Sequence, residues 1–394
     1  MTDIAETLEA LRRDGLYRRL RTVDSAPGPW VTVDDRQVLL LCSNDYLGLA
    51  GDTAVRAAAA QAAERWGAGA GASRLVSGNM TIHTELEHEL AEFKGHESSV
   101  LFGSGYLANT GVIAALAGSD DVILSDELNH ASIIEGCRQS RAETIVYRHR
   151  DLDSLAAGLS RAAGRRALIV TDAVFSMDGD LAPLAEIVEL AERHGARVVV
   201  DEAHATGVVG PGGRGLVAAL GLERRIDVVV GTLSKALGSY GAFACCDRAM
   251  AEFLVNRART LIFSTALPPP AVAAAGAALR ILRDQPVIVE RLRGNSGVLR
   301  DELVACGFDV PAGETPIIPL IVGDPRAATD LCEAALQAGV FAQAIRPPTV
   351  PDGTSRLRLV AMATHSAEDL RTAATRLAAA ASQSVGCVST PASR

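Results

Sequence analysis

Between residues 52 and 285 the chain repeats one pattern: a short, almost wholly apolar run rich in Val and Ile, then a stretch with helical spacing. The runs are SVLF, DVILSD, ETIVYR, ALIVTD, RVVVDEAH, DVVVGT and GAFACC. A strand with one wet face alternates apolar and polar residues. A run without alternation is buried on both faces, and helices between such runs are the crossovers that parallel strands require. The pattern predicts an α/β fold with a mainly parallel central sheet sandwiched by helices. Ligands of such sheets collect beyond the carboxyl ends of the strands, so the residues closing each run are the first candidates for chemistry.

Upstream, a helical stretch leads into WVTVDDRQVLLLCSND, which alternates like a β-hairpin with Asp34 and Asp35 at its turn. Downstream, ALPPP breaks the rhythm, and a long Ala/Leu/Arg helix precedes TPIIPLIVG and SRLRLVAMAT, which read as strands. The expected organisation is an N-terminal helix and hairpin over 1–51, a large domain over 52–285, a small C-terminal α+β domain over 286–382 and a disordered tail over 383–394. A net charge of −9 gives no footprint for nucleic acid or for an anionic membrane surface. The seven cysteines are scattered with no C-x-x-C spacing, which supports neither a disulfide framework nor a zinc site. The N-terminus lacks the apolar core of a signal peptide, and no apolar stretch reaches the roughly 18 residues of a membrane span. The expectation is a cytoplasmic protein without a metal.

Only two of the 38 basic residues are lysines, Lys94 and Lys235. Lys94 ends the helical pattern TELEHELAEFK before Gly95, where a cation complements the helix dipole and an exposed, structural role is expected. Lys235 follows the run DVVVGT, where an ordinary ammonium is costly to bury; a desolvated lysine is a nucleophile for imine chemistry. Asp201 closes the run RVVV and His204 follows three residues later. A lysine that holds pyridoxal phosphate as an imine needs an acidic partner for the pyridine nitrogen, and Asp201 on the neighbouring strand end can supply it. GSGYLAN, between strand and helix, offers backbone N–H groups for a phosphate. The same segment, Gly103-x-Gly105-x-x-Ala108 with Asp126 about 20 residues on, equally satisfies a dinucleotide-binding fingerprint, so alone it does not choose between the two cofactors.

Taken together, SNDYLGL, GASRLVSGNMTIHTELE, SGYLAN, LNHAS, VFSMDGDLAPL, DEAHATGVVGPGGRG, TLSKALGS and RPPTVPDGTSRLRL resemble, in order and almost end to end, the α-oxoamine synthases. These are fold-type I pyridoxal-phosphate enzymes that join an amino acid to an acyl thioester with loss of carbon dioxide. The resemblance implies pyridoxal 5′-phosphate carried on Lys235, Asp201 at the ring nitrogen, and His204 and Ser176 near the ring hydroxyl. It further implies His130 stacked on the ring, and Gly105, Tyr106 and Thr232 around the phosphate. Thr265 would reach the cofactor of a second subunit in a homodimer. Arg358, assisted by Asn44, would take the amino-acid carboxylate, and Arg18 and Thr349 would face the acyl substrate. Within the family, RPPTVPDGTSRLR is most similar to the branch that uses L-alanine and a pimeloyl thioester, carried by CoA or an acyl-carrier protein; a glycine and acetyl-CoA branch is the alternative. Ala205 and Ala242 depart from the usual glycines of DEAHGTG and of the turn after Lys235.

Overall fold

The computed structural model describes residues 3–383, so the expected tail beyond Gln383 lies outside the described residues. Near the N-terminus, β1 (Trp30–Val33) and β2 (Arg36–Leu40) form an antiparallel hairpin. Asp34 and Asp35 turn it with φ of +49° and +61°, the left-handed pair that a two-residue hairpin turn demands and that Asp tolerates.

The seven apolar runs become β3 (Ser98–Phe102), β4 (Val122–Asp126), β5 (Glu143–Tyr147), β6 (Ala167–Asp172), β7 (Arg197–Asp201), β8 (Val228–Thr232) and β9 (Ala242–Cys246). They make one sheet in the order β3-β9-β8-β7-β6-β4-β5, parallel throughout except for β9, which runs against both neighbours. Every residue of β4, β8 and β9 is buried, as runs without alternation require. On one face Val112, Ile113, Ile133 and Leu254 from helices Gly105–Leu116, Ala131–Ser140 and Arg248–Arg257 pack on Val100, Val170, Val199, Val228 and Ala244. Gly231 is paired with Phe243 across β8 and β9, and a Cβ there would lie 2.2 Å from the Phe243 ring.

The remaining strands are β10 (Ile317–Gly323), β11 (Val340–Phe341), β12 (Gln343–Ile345) and β13 (Ser355–Val360). β13 lies between β10 and β12, antiparallel to both, whereas β11 adds to the N-terminal hairpin in parallel with β2. The chain therefore divides into two compact units. Among the described residues, one comprises 3–48, 177–179 and 290–383, with a core of Leu39, Leu41, Leu303, Ile318, Leu357, Leu359, Leu370 and Leu377; the other comprises 49–176 and 180–289. No described helix is long and apolar enough to cross a membrane.

The expected exposure of Lys94 is overturned, although its place at the helix end is as expected. It ends the helix Thr81–Lys94 before Gly95, but its side chain is buried, 1% exposed, and its ammonium donates to Glu202, to Thr206 Oγ1 at 3.3 Å and to the Arg214 carbonyl. Three acceptors around one ammonium match its three donors, a geometry that a planar guanidinium does not reproduce. Burial here comes from the segment 202–217 folding over the helix end, a tertiary event that helical spacing does not report.

Candidate active site

Three carboxylates, Asp201, Asp172 and Asp126, close the adjacent parallel strands β7, β6 and β4, all nearly fully buried. Their mutual repulsion at one edge of a sheet has to be offset locally, and each is handled differently. Asp201 accepts from Ala203 N at 2.7 Å on one oxygen and from Asn109 Nδ2 at 2.6 Å on the other. Asp172 accepts from His130 N at 2.7 Å; burial first, then the Asp201 charge beside it, push its carboxyl well above the usual carboxylate range. Asp126 is held by the His149 ring and by the backbone N–H of Leu128 and Arg150.

Beyond β8, Thr232 Oγ1 donates to the Gly241 carbonyl at 3.0 Å and accepts from Ser234 N at 3.1 Å, while Ser234 exchanges bonds with Gly241. These hydroxyls fasten the turn that carries Lys235. Gly238, at φ +57°, closes the turn where a Cβ would meet the Ala50 backbone at 2.3 Å. The half-buried Lys235 points its Nζ to within 2.6 Å of His204 Nε2. His204 is 6% exposed and rides on the turn that follows Asp201, whose residue Glu202 is anchored by Lys94, by Val217 N and, through its own N–H, by the Val230 carbonyl.

His130 caps the helix Ala131–Ser140 with its side chain partly exposed. Desolvation, with the Lys235 charge acting in the same direction and Asp201 opposing, holds its pKa below the ordinary histidine value, so the ring is neutral near pH 7. Its Nδ1 lies 2.7 Å from Ser132 Oγ, which accepts from Asn109 Nδ2 at 2.9 Å. A continuous hydrogen-bonded chain thus runs His130, Ser132, Asn109, Asp201. Asn109, Ser132 and Asp172 were not singled out from sequence, although two of them lie inside the quoted motifs SGYLAN and LNHAS.

At the start of the helix Gly105–Leu116, Ser104 Oγ accepts from Leu107 N at 3.2 Å, whereas the N–H groups of Gly105 and Tyr106 find no acceptor among the described residues. A Cβ on Gly105 would meet nothing within 4 Å, and Tyr106 is 47% exposed, so the helix end opens onto free space. Ser176 is half-buried next to Phe175, and Thr265 is exposed. In the other unit, Arg358 is 6% exposed and donates to Asn44 Oδ1 at 3.1 Å and to the Tyr46 hydroxyl at 3.4 Å. Arg18 reaches the Pro347 carbonyl at 3.4 Å, and Thr349, exposed on the same loop, donates its N–H to the Arg346 carbonyl at 3.1 Å.

A pyridoxal phosphate demands an amine in a low-dielectric setting, a buried carboxylate with lone pairs to spare, a flat neutral ring face and a helix N-terminus for its phosphate. The large unit supplies all four, and Asn109 Oδ1, buried beside Asp201 without a partner among the described residues, adds a polar atom still to be satisfied. The fold is that of the fold-type I pyridoxal-phosphate enzymes, and the chain belongs to the aminotransferase class I and II family, which matches residues 36–377. Among curated relatives it is 53% identical to the 8-amino-7-oxononanoate synthase of Anaeromyxobacter dehalogenans over 364 residues, 92% of each chain. It is 50% identical to that of Geobacter sulfurreducens over 380 residues, 95% of this chain and 97% of the relative. Among solved structures, a serine palmitoyltransferase from S. paucimobilis with PLP bound superposes with TM-score 0.92 at 34% identity, covering 97% of both chains. An 8-amino-7-oxononanoate synthase from Francisella tularensis gives 0.74 at 26% identity, covering 87% of this chain and 97% of that one.

Proposed function

We propose that this enzyme is a pyridoxal-phosphate-dependent acyltransferase that condenses L-alanine with a pimeloyl thioester, releasing carbon dioxide, the free thiol and 8-amino-7-oxononanoate, a step of biotin biosynthesis. The observation that carries the reading is the sequence identity of about half, over nine-tenths of the chain, to synthases of that name. When bound, the cofactor supplies an electron sink for the negative charge that develops on the amino-acid α-carbon. The protein's own part follows from the site. Lys235 would hold the cofactor through its amine and would be the base that moves the α-proton, with His204 Nε2 2.6 Å from that amine. Asp201, fixed by Asn109 and Ala203, keeps a negative charge for the ring nitrogen. Neutral His130 would face the ring, Ser176 would approach the ring oxygen, and Gly105, Tyr106 and Thr232 would hold the phosphate.

Arg358, oriented by Asn44, is the partner for the amino-acid carboxylate, because a guanidinium binds a carboxylate through two parallel hydrogen bonds. Arg18 and Thr349 serve the acyl substrate, delivered on CoA or on an acyl-carrier protein. Thr265, exposed, suits service to a second copy of the chain in a homodimer.

A second reading, serine with a longer acyl thioester, is favoured by the TM-score of 0.92 to a serine palmitoyltransferase. One experiment separates the readings: carbon dioxide release measured over a matrix of alanine, serine and glycine against pimeloyl, palmitoyl and acetyl thioesters. Alanine with the pimeloyl thioester is expected to give the highest kcat/KM. A clear preference for serine with palmitoyl or glycine with acetyl refutes the assignment, and borohydride that fixes the cofactor covalently to Lys235→Ala as well as to the wild type refutes the role of Lys235.

A further inference from the structure

Among the strand-end carboxylates, Asp126 owes its charge balance to a residue outside the set assigned above. His149 Nδ1 lies 2.9 Å from Asp126 Oδ1, and His149 Nε2 lies 2.8 Å from Asp180 Oδ2. Carboxylates only accept, so both ring nitrogens carry hydrogen and the ring is an imidazolium. The two partners sit at the bases of two different loops. Asp126 ends β4 and, through the Leu128 N–H at 2.9 Å, shapes the turn leading to Asn129 and His130. Asp180 closes the segment that begins with Phe175 and Ser176: its carbonyl accepts from Phe175 N at 3.0 Å, and Val174 bridges to Leu181. The Phe175 ring stands edge-on to His149, with centroids 4.4 Å apart and planes at 90°.

We infer that His149 is a positioning residue for the cofactor pocket: its imidazolium ties the loop that carries His130 to the loop that carries Ser176. This rests on the reading above that both residues face the cofactor. The charged groups around the ring are few and mostly of one sign. Asp126, 2% exposed, and Asp180, a quarter exposed, flank it; Arg150 donates to the same Asp180 oxygen at 3.1 Å from the solvent side; Glu127 accepts the His149 backbone N–H at 2.8 Å. Phe175 packs on it without charge. The two carboxylates outweigh desolvation and raise the His149 pKa to about 9. A group whose folded-state pKa is raised contributes fully below the ordinary histidine value of about 6.5 and loses that contribution as pH climbs through about 9. A histidine that merely filled space would have no such window.

The test compares cofactor dissociation from holoenzyme for the wild type and His149→Gln, read from the cofactor's absorbance after gel filtration, between about pH 7.5 and about pH 10. Titration of the Lys235 attachment is common to both proteins and cancels in their ratio. Two charge-assisted hydrogen bonds are at stake, so His149→Gln is expected to hold the cofactor about tenfold or more weakly at the lower pH. The ratio should fall towards one at the upper pH, where the wild-type ring is neutral. A ratio independent of pH assigns His149 a plain structural role and overturns the inference, as does a ratio of one throughout. If His149→Gln gives no soluble holoenzyme, Asp180→Asn, which leaves His149 and Asp126 in place, takes the same ratio test with the same outcomes. His130→Ala and Ser176→Ala run alongside separate the two failures. If they weaken cofactor binding while His149→Gln does not, the inference alone fails; if neither does, the reading of the pocket fails and takes the inference with it.

Discussion

Replacing Lys94 with methionine isolates the buried ion pair beneath the Asp201–His204 turn. The side chains of Lys94 and Glu202 are 1% and 0% exposed, so water cannot enter to solvate whichever charge is left. Methionine keeps most of the volume, which makes the cavity contribution small. What remains is Glu202 with one donor, Val217 N at 2.7 Å, and an Arg214 carbonyl without its ammonium. Breaking a buried pair on one side costs about 3–5 kcal/mol. At about 2.1 cal/mol/K of unfolding entropy per residue over 394 residues, that corresponds to a fall in Tm of about 5 °C. The double variant Lys94→Met/Glu202→Gln removes both charges, and the new amide can still accept from Val217 N. It is expected to recover more than half of the loss. Thermal and urea unfolding followed by circular dichroism measure all members of the cycle. A loss below about 1 kcal/mol for Lys94→Met, or a double variant no more stable than the single, would show that the pair is not the unit described.

Two further outcomes follow from groups elsewhere. His365 Nδ1 accepts from Met362 N at 2.9 Å and Nε2 donates to the Leu40 carbonyl at 3.0 Å, an arrangement only the neutral ring can make, and burial holds its pKa down to about 4. The unfolded chain takes up a proton that the folded chain refuses between pH of about 6.5 and about 4, so stability falls as pH falls through that window, and His365→Gln should flatten the dependence of the urea midpoint; an unchanged slope counts against it. Arg358→Lys keeps the charge but not the two-pronged donor, and the amino-acid KM should rise about tenfold or more with cofactor absorbance unchanged; a wild-type KM removes Arg358 from carboxylate binding.

All seven strands of the large sheet were legible as apolar runs; burial on both faces leaves no room for alternation in most of them, but β5, at the end of the strand order, alternates in burial and leaves Val146 exposed, so there the expectation of two buried faces fails. The Asp34–Asp35 turn was legible for a local reason too, since few residues other than glycine tolerate two successive left-handed conformations. Strand ends then pointed to Asp201 and Lys235. Lys94 was misjudged because its partners Glu202, Thr206 and Arg214 lie more than 100 residues away, and helical spacing describes only the helix itself. Asn109, Ser132 and Asp172 escaped notice for a related reason: their importance lies in which strand ends become neighbours, and that order is a property of the sheet. β11 and β12, two and three residues long, are too short for any periodicity to register.

The parallel pairing of β2 with β11 joins Leu39 and Leu40 to Val340 and Phe341. A ribosome adding about 5–20 residues per second delivers the second strand on the order of 15–60 s after the first. The sheet of β3 to β9 is complete in sequence by Cys246 and can close during that interval, while Val31, Val33 and Val38 of the hairpin wait for Leu336 and Phe341 to cover them. The hairpin is synthesised before every strand of the central sheet, yet its apolar face is covered only after that sheet is complete in sequence. Synthesis therefore leaves this hairpin exposed to chaperones and to misassociation for longer than any strand of the central sheet.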